Sequence, residues 1–440
     1  MPRLNPPDSV REICATLERA GHEAWCVGGA VRDALLGIET LDWDIATSAH
    51  PEQVQKLFRR TIPVGIQFGT VGVLDKQGVL HEVTTFRHDV ETDGRHAVVK
   101  FGASLDEDLA RRDFTINAIA VHAETLEVRD PFNGRVDLEQ RVVRCVGEAA
   151  ERMREDRLRA LRALRFAGRF DFAIEPATWA AIETSAPHLG RLSMERVKQE
   201  LEKVMEQVAR PAATLERYRD AGILAALVPL IADAPRARFA ALDHLARPGL
   251  ARRPDRRMVR LAALFVEPGV APARTLERDL KALKFSNDEV RATLTLAKGA
   301  AEVTLDRLRS LSEAARDSAT ITTSAESVEL RRLIAKVGRL MVPGLSRVLW
   351  ARAKAESIVA AEGSAGVSLY RRALRSAFTD PLTLGDLAVD GDDLRIAGVA
   401  PGKAMGDALH RLLEIVLVDP SRNTREALLE AVRAAVREGA

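Results

Sequence analysis

The sequence predicts an α+β fold in two unequal parts, a small head built on a mixed β-sheet and an elongated, all-α remainder. Three observations carry this expectation. Runs of β-type residues cluster before residue 147 and nearly vanish after Glu148. Beyond that point Ala, Leu, Glu and Arg dominate, and apolar residues recur at helical spacing, as in Val197, Leu201, Val204 and Val208. A chain of 440 residues also exceeds one ordinary core, so several domains are expected.

In the head, residues 24–27, 43–46, 70–74, 79–86 and 126–129 read as strands. Asp75-Lys76-Gln77-Gly78 joins two of them as a hairpin turn. The polar, glycine-containing stretch 88–96 reads as a mobile loop. Residues 155–165 read as one helix with two stripes. Asp156, Arg159 and Arg162 advance by threes, while Leu158, Leu161 and Leu164 run in parallel on another face. In the remainder, Pro235, Pro248-Gly249, Pro254, Pro268-Gly269, Pro343-Gly344 and residues 363–366 are expected to break the helical pattern into hairpins. The Ser- and Thr-rich stretch 318–327 has the composition of a linker. The resulting segments are 1–147, 148–210, 211–325 and 326–440.

Composition narrows the function classes. Lys and Arg total 65 against 63 Asp and Glu, a net charge of only +2, so any hold on nucleic acid must come from local clusters. Arginines crowd residues 152–169 and again 236–260. Cys14, Cys26 and Cys145 have neither pairing nor zinc-ligand spacing, which points to a reducing compartment. With no signal-like start and no run of eighteen apolar residues, a cytoplasmic protein without a membrane partner is expected.

Four patterns carry chemistry. Asp42 and Asp44 lie two apart in an apolar run, so on a strand both carboxylates share one face. Like charges held that close repel, and a divalent cation offsets the cost. Such ions serve phosphoryl transfer, activating an attacking 3′-hydroxyl and steadying the leaving pyrophosphate. Read alone, the pattern more often marks a solvated strand end. Glu82, on the second strand of the Asp75 hairpin, is either a third ligand or a surface acid on an edge strand. Gly28-Gly29, between a strand and a helix, leaves room for a triphosphate, with Arg32 one turn further on.

In Arg111-Arg112-Asp113 the cations suit phosphate and the carboxylate suits a ribose hydroxyl, while Asn117 would face the same way if this segment is a helix. A buried ion pair capping a helix is the alternative. Asp156 and Arg159 place an acceptor and a donor one turn apart. That pair complements the amino-donor and ring-nitrogen edge shared by cytosine and adenine, and mismatches guanine and uracil. Arg162 and Arg165 could instead hold phosphates, and an Arg-rich solvated helix face explains the same residues.

Together and in this order, these four motifs resemble the nucleotidyltransferases of the tRNA CCA-adding and bacterial poly(A) polymerase family. The resemblance implies a catalytic head (1–147), a base-selecting neck (148–210), and an RNA-binding body (211–325) and tail (326–440). It implies template-independent addition of CCA to the tRNA 3′ end from CTP and ATP, with two Mg²⁺ ions and release of pyrophosphate. Asp42, Asp44 and Glu82 become catalytic, with Asp42 and Asp44 holding Mg²⁺. Gly28, Gly29, Arg32, Arg112, Asp113, Asn117, Asp156, Arg159, Arg162 and Arg165 become nucleotide-binding, Asp113 reading the ribose and Asp156 with Arg159 the base. The stretch 88–96 falls where relatives that add the final A carry a loop that helps the site switch from CTP to ATP. Gly65-Ile66-Gln67-Phe68-Gly69-Thr70-Val71 looks more like the CCA-adding version than the poly(A) one. Arg252, Arg253 and Arg256, and Lys403 between Gly402 and Gly406, are candidate RNA contacts. A poly(A) polymerase and a catalytically silent RNA-binding relative are the alternatives.

Overall fold

A computed structural model of the chain describes residues 4–40, 42–92, 97–245, 254–304, 306–307, 310, 324–356 and 364–438. The chain divides into two compact units, Met1–Ala209 with Thr214–Ala232, and Arg210–Ala213 with Asp233–Ala440.

The first unit opens with α1 (Asp8–Arg19), whose buried Val10, Ile13, Cys14 and Leu17 recur at helical spacing. β1 (Ala24–Val27), α2 (Gly29–Leu35), β2 (Asp44–Thr47), α3 (Pro51–Leu57), β3 (Thr61–Gly65), β4 (Thr70–Leu74) and β5 (Leu80–Thr85) follow. With β8 (Ala120–Val121) and β9 (Val128–Arg129) the strands form a mixed sheet in the order β3-β4-β5-β2-β1-β8-β9, in which β2 and β5 are parallel. The inward face carries Cys26, Ile45, Val71, Val73 and Val83, each at most 2% exposed. α1 packs on β1 and β2, and α3 on β4 and β5. Each such buried Val or Ile contributes roughly 1.5 to 3 kcal/mol. On the opposite face Val27 and Ala46 join Phe86, Leu105, Leu109 and Ala118 in a second core, while Asp44 and Glu82 stay accessible.

Several expectations need correction. β2 begins at Asp44, so Asp42 lies just before the strand rather than within it, though its charge still acts on Asp44. β3 was hidden because Pro63 and the exposed Ile62 and Val64 do not alternate as a half-buried strand does; it is a sheet edge, where proline is tolerated. Of the expected loop at 88–96, residues 88–92 belong to a strand, β6 (Arg87–Thr92), pairing antiparallel with β7 (Ala97–Phe101), and residues 93–96 lie outside the described residues. Val90, Thr92, Val98 and Val99 supply the β-branched residues that such a pairing favours.

α4 (Leu105–Ala110) starts from a reciprocal cap in which Ser104 Oγ accepts the Glu107 amide and Glu107 Oε2 accepts the Ser104 amide. α5 (Gly134–Gln140) precedes β10 (Val142–Val143), which pairs parallel with β11 (Ala173–Ile174). The helix expected over 155–165 is broken into α6 (Ala149–Glu155) and α7 (Leu158–Phe170). Asp156 between them is extended, and its Oδ1 accepts the Leu158 amide at 3.1 Å. An aspartate competes with the helical backbone in this way at a helix start. α8 (Pro176–Ser185) and α9 (Met194–Gln207) complete the part of the unit that carries the site; α9 buries Val197, Leu201 and Val204 as the spacing predicts.

Every described element of the second unit is a helix. Pro343 and Gly344 do not break a helix: they lie in the first turn of Val342–Ala355, where the missing proline N–H has no partner to lose. Pro254 likewise opens Pro254–Ala263, and residues 364–366 belong to Ser364–Thr379. Residues 318–323 of the expected linker lie outside the described residues, and Ser324 caps Ala325–Val337. Arg331, 2% exposed, donates to the carbonyls of Leu417 (2.6 Å) and Val418 (3.0 Å) at the end of Lys403–Val418. No described helix is long and apolar enough to cross a membrane.

Candidate active site

The site is built where β1 turns into α2. Gly28 takes a φ of 73°, and a Cβ there would lie 2.9 Å from Arg112 Nη1 and 3.6 Å from Asp44 Oδ2. Only glycine allows both the left-handed turn and the approach of a guanidinium and a carboxylate over it. Glu82 stands on β5, in the register that places it beside Asp44 on parallel β2. Burial, then the neighbouring charges of Asp42 and Glu82, push the Asp44 carboxyl up to about 6 against the pull of Arg112. Three carboxylates repelling one another in this way are a hard-oxygen donor set suited to a divalent cation. Among the described residues, no three His, Cys, Asp or Glu side chains already stand close enough to form a cage.

Arg32 is not a free cation. It is 4% exposed, its Nε and Nη2 donate to Asp33 Oδ1 at 2.8 and 2.6 Å, and its Nη1 donates to Asn117 Oδ1 at 2.5 Å. Its guanidinium lies 5.0 Å from the Phe166 ring centre and 4.8 Å from that of Phe170. Burial pulls its pKa down and Asp33 opposes the shift.

Arg111 and Arg112 share one buried acid. Asp108 Oδ1 lies 2.9 Å from Arg111 Nη2, and Asp108 Oδ2 lies 3.3 Å from Arg112 Nη2. Asn117 lies on a short 3₁₀ turn, Thr115–Asn117, rather than on a helix running from Asp113. It still meets Asp113, donating from Nδ2 to Oδ1 at 2.8 Å. Asp113 Oδ2 accepts Arg162 Nε at 2.7 Å. Burial alone would raise the Asp113 carboxyl, but Arg162 and Asn117 outweigh it and hold the group at about 2. Arg165 Nε donates to buried Glu200 at 2.6 Å, and Arg165 and Arg162 lie 4.3 and 5.3 Å from the Phe166 ring centre.

A cleft of about 500 Å³ gathers Gly28, Gly29, Arg32, Asp44, Glu82, Arg112, Asp113, Asn117, Arg162 and Arg165, all singled out from the sequence. Asp42, Asp156 and Arg159 are not among its lining residues. Asp156 Oδ2 instead accepts Arg196 Nη2 at 2.7 Å. Arg159 Nη1 donates to Glu155 Oε2 at 2.6 Å and to the Arg152 carbonyl at 2.9 Å, and its Nη2 donates to the Arg111 carbonyl at 3.3 Å. Because α7 begins only at Leu158, Asp156 and Arg159 are not one turn apart on a continuous helix, and the stripe geometry derived for them does not hold.

Sequence reading missed Asp33, Asp108, Phe166, Phe170, Arg169 and Glu200. Glu200 had a signal, an acid inside the apolar stripe of Val197, Leu201 and Val204; so had the repeat Arg162, Arg165-Phe166, Arg169-Phe170. Of the RNA candidates, Arg252 and Arg253 lie outside the described residues, as does the side chain of Arg256. Lys403 is exposed at the start of its helix, after Gly402 with φ 95°. Arg260 of the same cluster is 1% exposed and donates to the Leu245 carbonyl, so it offers nothing to RNA.

Residues 24–144 match the Poly A polymerase head domain, and residues 171–234 match the family described as "Probable RNA and SrmB- binding site of polymerase A". A mixed-sheet head with paired acids facing an arginine-rich cleft is that of a nucleotidyltransferase. The chain is 35% identical to the CCA-adding enzyme of Latilactobacillus sakei over 96% of both chains. It is 36% identical to that of Geobacillus kaustophilus, covering 97% of this chain and 96% of the relative. The crystal structure of the Bacillus stearothermophilus CCA-adding enzyme in complex with CTP superposes with a TM-score of 0.75 at 31% identity, covering 99% of each chain. The chain therefore belongs to the family of CCA-adding enzymes, the family its motifs resemble.

Proposed function

We propose that this protein adds CCA to the 3′ end of tRNA, taking CTP and ATP without a nucleic acid template and releasing pyrophosphate. One observation carries the reading: over Gly28 a guanidinium and a carboxylate converge, so a phosphate binder and a metal binder meet at one point. Around it, Arg32, Arg112, Arg162 and Arg165 supply charge for a triphosphate, with Gly28 and Gly29 leaving space for it. Asp113, joined to Asn117, is placed to accept a ribose hydroxyl. The family resemblance assigns base choice to Asp156 and Arg159, which flank the start of α7 and would have to turn from Arg196 and Glu155 toward the cleft to read a base.

Enzymes of this kind work with a divalent metal, and Asp42 and Asp44, with Glu82 beside them, fit Mg²⁺ as hard oxygen donors. Bound there, in the two-ion arrangement phosphoryl transfer uses, Mg²⁺ would neutralise the triphosphate and make the acceptor hydroxyl a better nucleophile. Residues 1–147 would be the catalytic head, 148–210 the base-selecting neck, and 211–325 and 326–440 the RNA-binding body and tail, with Lys403 a phosphate contact. We place the enzyme in the cytoplasm, where its three free, buried cysteines would stay reduced.

Incubation with a tRNA lacking CCA and each NTP in turn tests the reading. Addition should stop after C, C and A, whereas unlimited A addition from ATP alone would make the protein a poly(A) polymerase. Asp42→Ala and Asp44→Ala should each abolish incorporation while tRNA binding persists, which also separates the enzyme from a silent RNA-binding relative.

A further inference from the structure

The sheet face that carries Asp44 and Glu82 continues past them. Leu74 pairs with Leu80, Gly72 with Glu82 and Thr70 with Thr84, and Ile62 of β3 lies opposite Gly72, so this face runs across β5 and β4 to the β3 edge. A Cβ on Gly72 would meet Leu80 Cδ1 at 2.6 Å and Val64 Cγ2 at 2.8 Å. The missing side chain therefore lets Leu80 and Val64 lie down over the sheet. They are nevertheless 39% and 44% exposed, and Ile62 is 41% exposed. This open aliphatic shelf begins beside Glu82 and reaches one to two strands further, about 5 to 10 Å by ordinary strand spacing. Contiguous exposed apolar surface of this kind marks a contact site more often than scattered apolar residues do.

Reaction geometry selects the occupant. Phosphoryl transfer requires the attacking and leaving oxygens to lie roughly in line. Arg32 on α2 and Arg112 over Gly28 are on the β1 side of Asp44, and they are the groups that would hold the triphosphate. The attacking hydroxyl must then arrive from the opposite side, over β5 and β4. We propose that Ile62, Val64 and Leu80 receive the terminal nucleoside of the RNA acceptor, its base and sugar against the shelf and its 3′-hydroxyl directed back toward Asp44 and Glu82. The three side chains have no donor or acceptor, so they hold any base equally. An acceptor whose last base changes after each addition needs such a surface.

The proposal rests on the nucleotidyltransferase reading, and its test separates the two. Val64→Ser combined with Leu80→Ser removes apolar contact from exposed positions, where folding tolerates change. KM for a tRNA lacking CCA should rise about tenfold, while KM for CTP and kcat move by less than about twofold. Val64→Ile with Leu80→Met should retain the parent values. An unchanged acceptor KM, or equal losses toward acceptor and CTP, overturns the shelf. A change in sedimentation with acceptor KM intact would make this face an interface between copies and overturns it too. No incorporation by the unmodified protein would instead overturn the nucleotidyltransferase reading.

Discussion

Replacing Asp113 by Asn keeps the side chain's shape and removes its charge, which makes it a sharp probe of ribose recognition. The carboxylate already takes three donors, the Phe114 amide at 2.9 Å and Asn117 Nδ2 at 2.8 Å on Oδ1, and Arg162 Nε at 2.7 Å on Oδ2. A carboxylate accepts about four hydrogen bonds, so roughly one place remains, on Oδ2. If a ribose hydroxyl takes that place, Asp113→Asn forfeits a hydrogen bond to a charged acceptor, worth about 1.5 to 3 kcal/mol. Single-turnover incorporation of CTP should then fall about ten- to a hundredfold, with dCTP little changed. A folded variant whose CTP to dCTP ratio equals the parent's would refute the assignment. The same variant has a stability signature. Despite burial, Arg162 and Asn117 hold the Asp113 carboxyl at about 2, below its ordinary 3.8. A depressed carboxyl stabilises the fold above its unfolded pKa and loses that contribution as pH falls through the folded one. The parent should therefore lose about 2 kcal/mol between pH 4 and pH 2 that Asp113→Asn does not lose, as urea titrations at the two ends of that window would show.

Three further outcomes follow from the geometry. Gly28→Ala forces a Cβ to 2.9 Å from Arg112 Nη1 at a φ of 73°, and incorporation should drop at least about a hundredfold in a protein with near-parent circular dichroism; normal turnover would contradict the close approach. Asp156→Ala and Arg159→Ala should each admit GTP and UTP more than they weaken triphosphate binding, and if both still refuse those nucleotides as the parent does, the template idea fails. Glu200→Gln leaves buried Arg165 without its charge partner at 2.6 Å, and denaturant unfolding should show a loss of about 3 kcal/mol; a loss below about 1 kcal/mol would mean that Gln207, 3.1 Å from Arg165, suffices.

What could be read from sequence followed from how local the cause was. β1 and β4 were legible residue for residue, because alternation and flanking turns lie within the strands themselves. α9 was legible because its apolar spacing belongs to one helix. The break at Asp156 was not: a run of Leu and Arg hides a single aspartate whose carboxylate caps the next helix and pairs with Arg196, forty positions away. β3 escaped because an edge strand with exposed Ile62 and Val64 lacks the alternation that burial imposes. In the site, most residues that line the cleft were recognisable by type, whereas Asp33 and Asp108 were not, and Glu200 showed only as an acid within an apolar stripe. Their task is to hold arginines, and that is visible only once the arginines are in place.

Those hidden acids change what the cleft's charge means. Arg32, Arg87, Arg111, Arg112, Arg162, Arg165, Arg169 and Lys203 line it, and as a bare cluster they would repel strongly. Asp33 pairs with Arg32 and Arg169, Asp108 with Arg111 and Arg112, Asp113 with Arg162, and Glu200 with Arg165 and Lys203. The four acids hold seven of these eight cations, Arg87 reaching the Phe68 carbonyl instead, so eight cations against four acids leave an excess near four, about the charge that a nucleoside triphosphate brings. Asp44, repelled by Asp42 and Glu82 and drawn only in part by Arg112, is the acid of the cleft left most in need of a further cation. Asn117 joins the two halves by accepting from Arg32 and donating to Asp113, so the phosphate end and the ribose end of the cleft are one hydrogen-bonded body. Removing any of the four acids should consequently weaken nucleotide binding despite making the cleft more positive. A bare electrostatic funnel predicts the opposite sign.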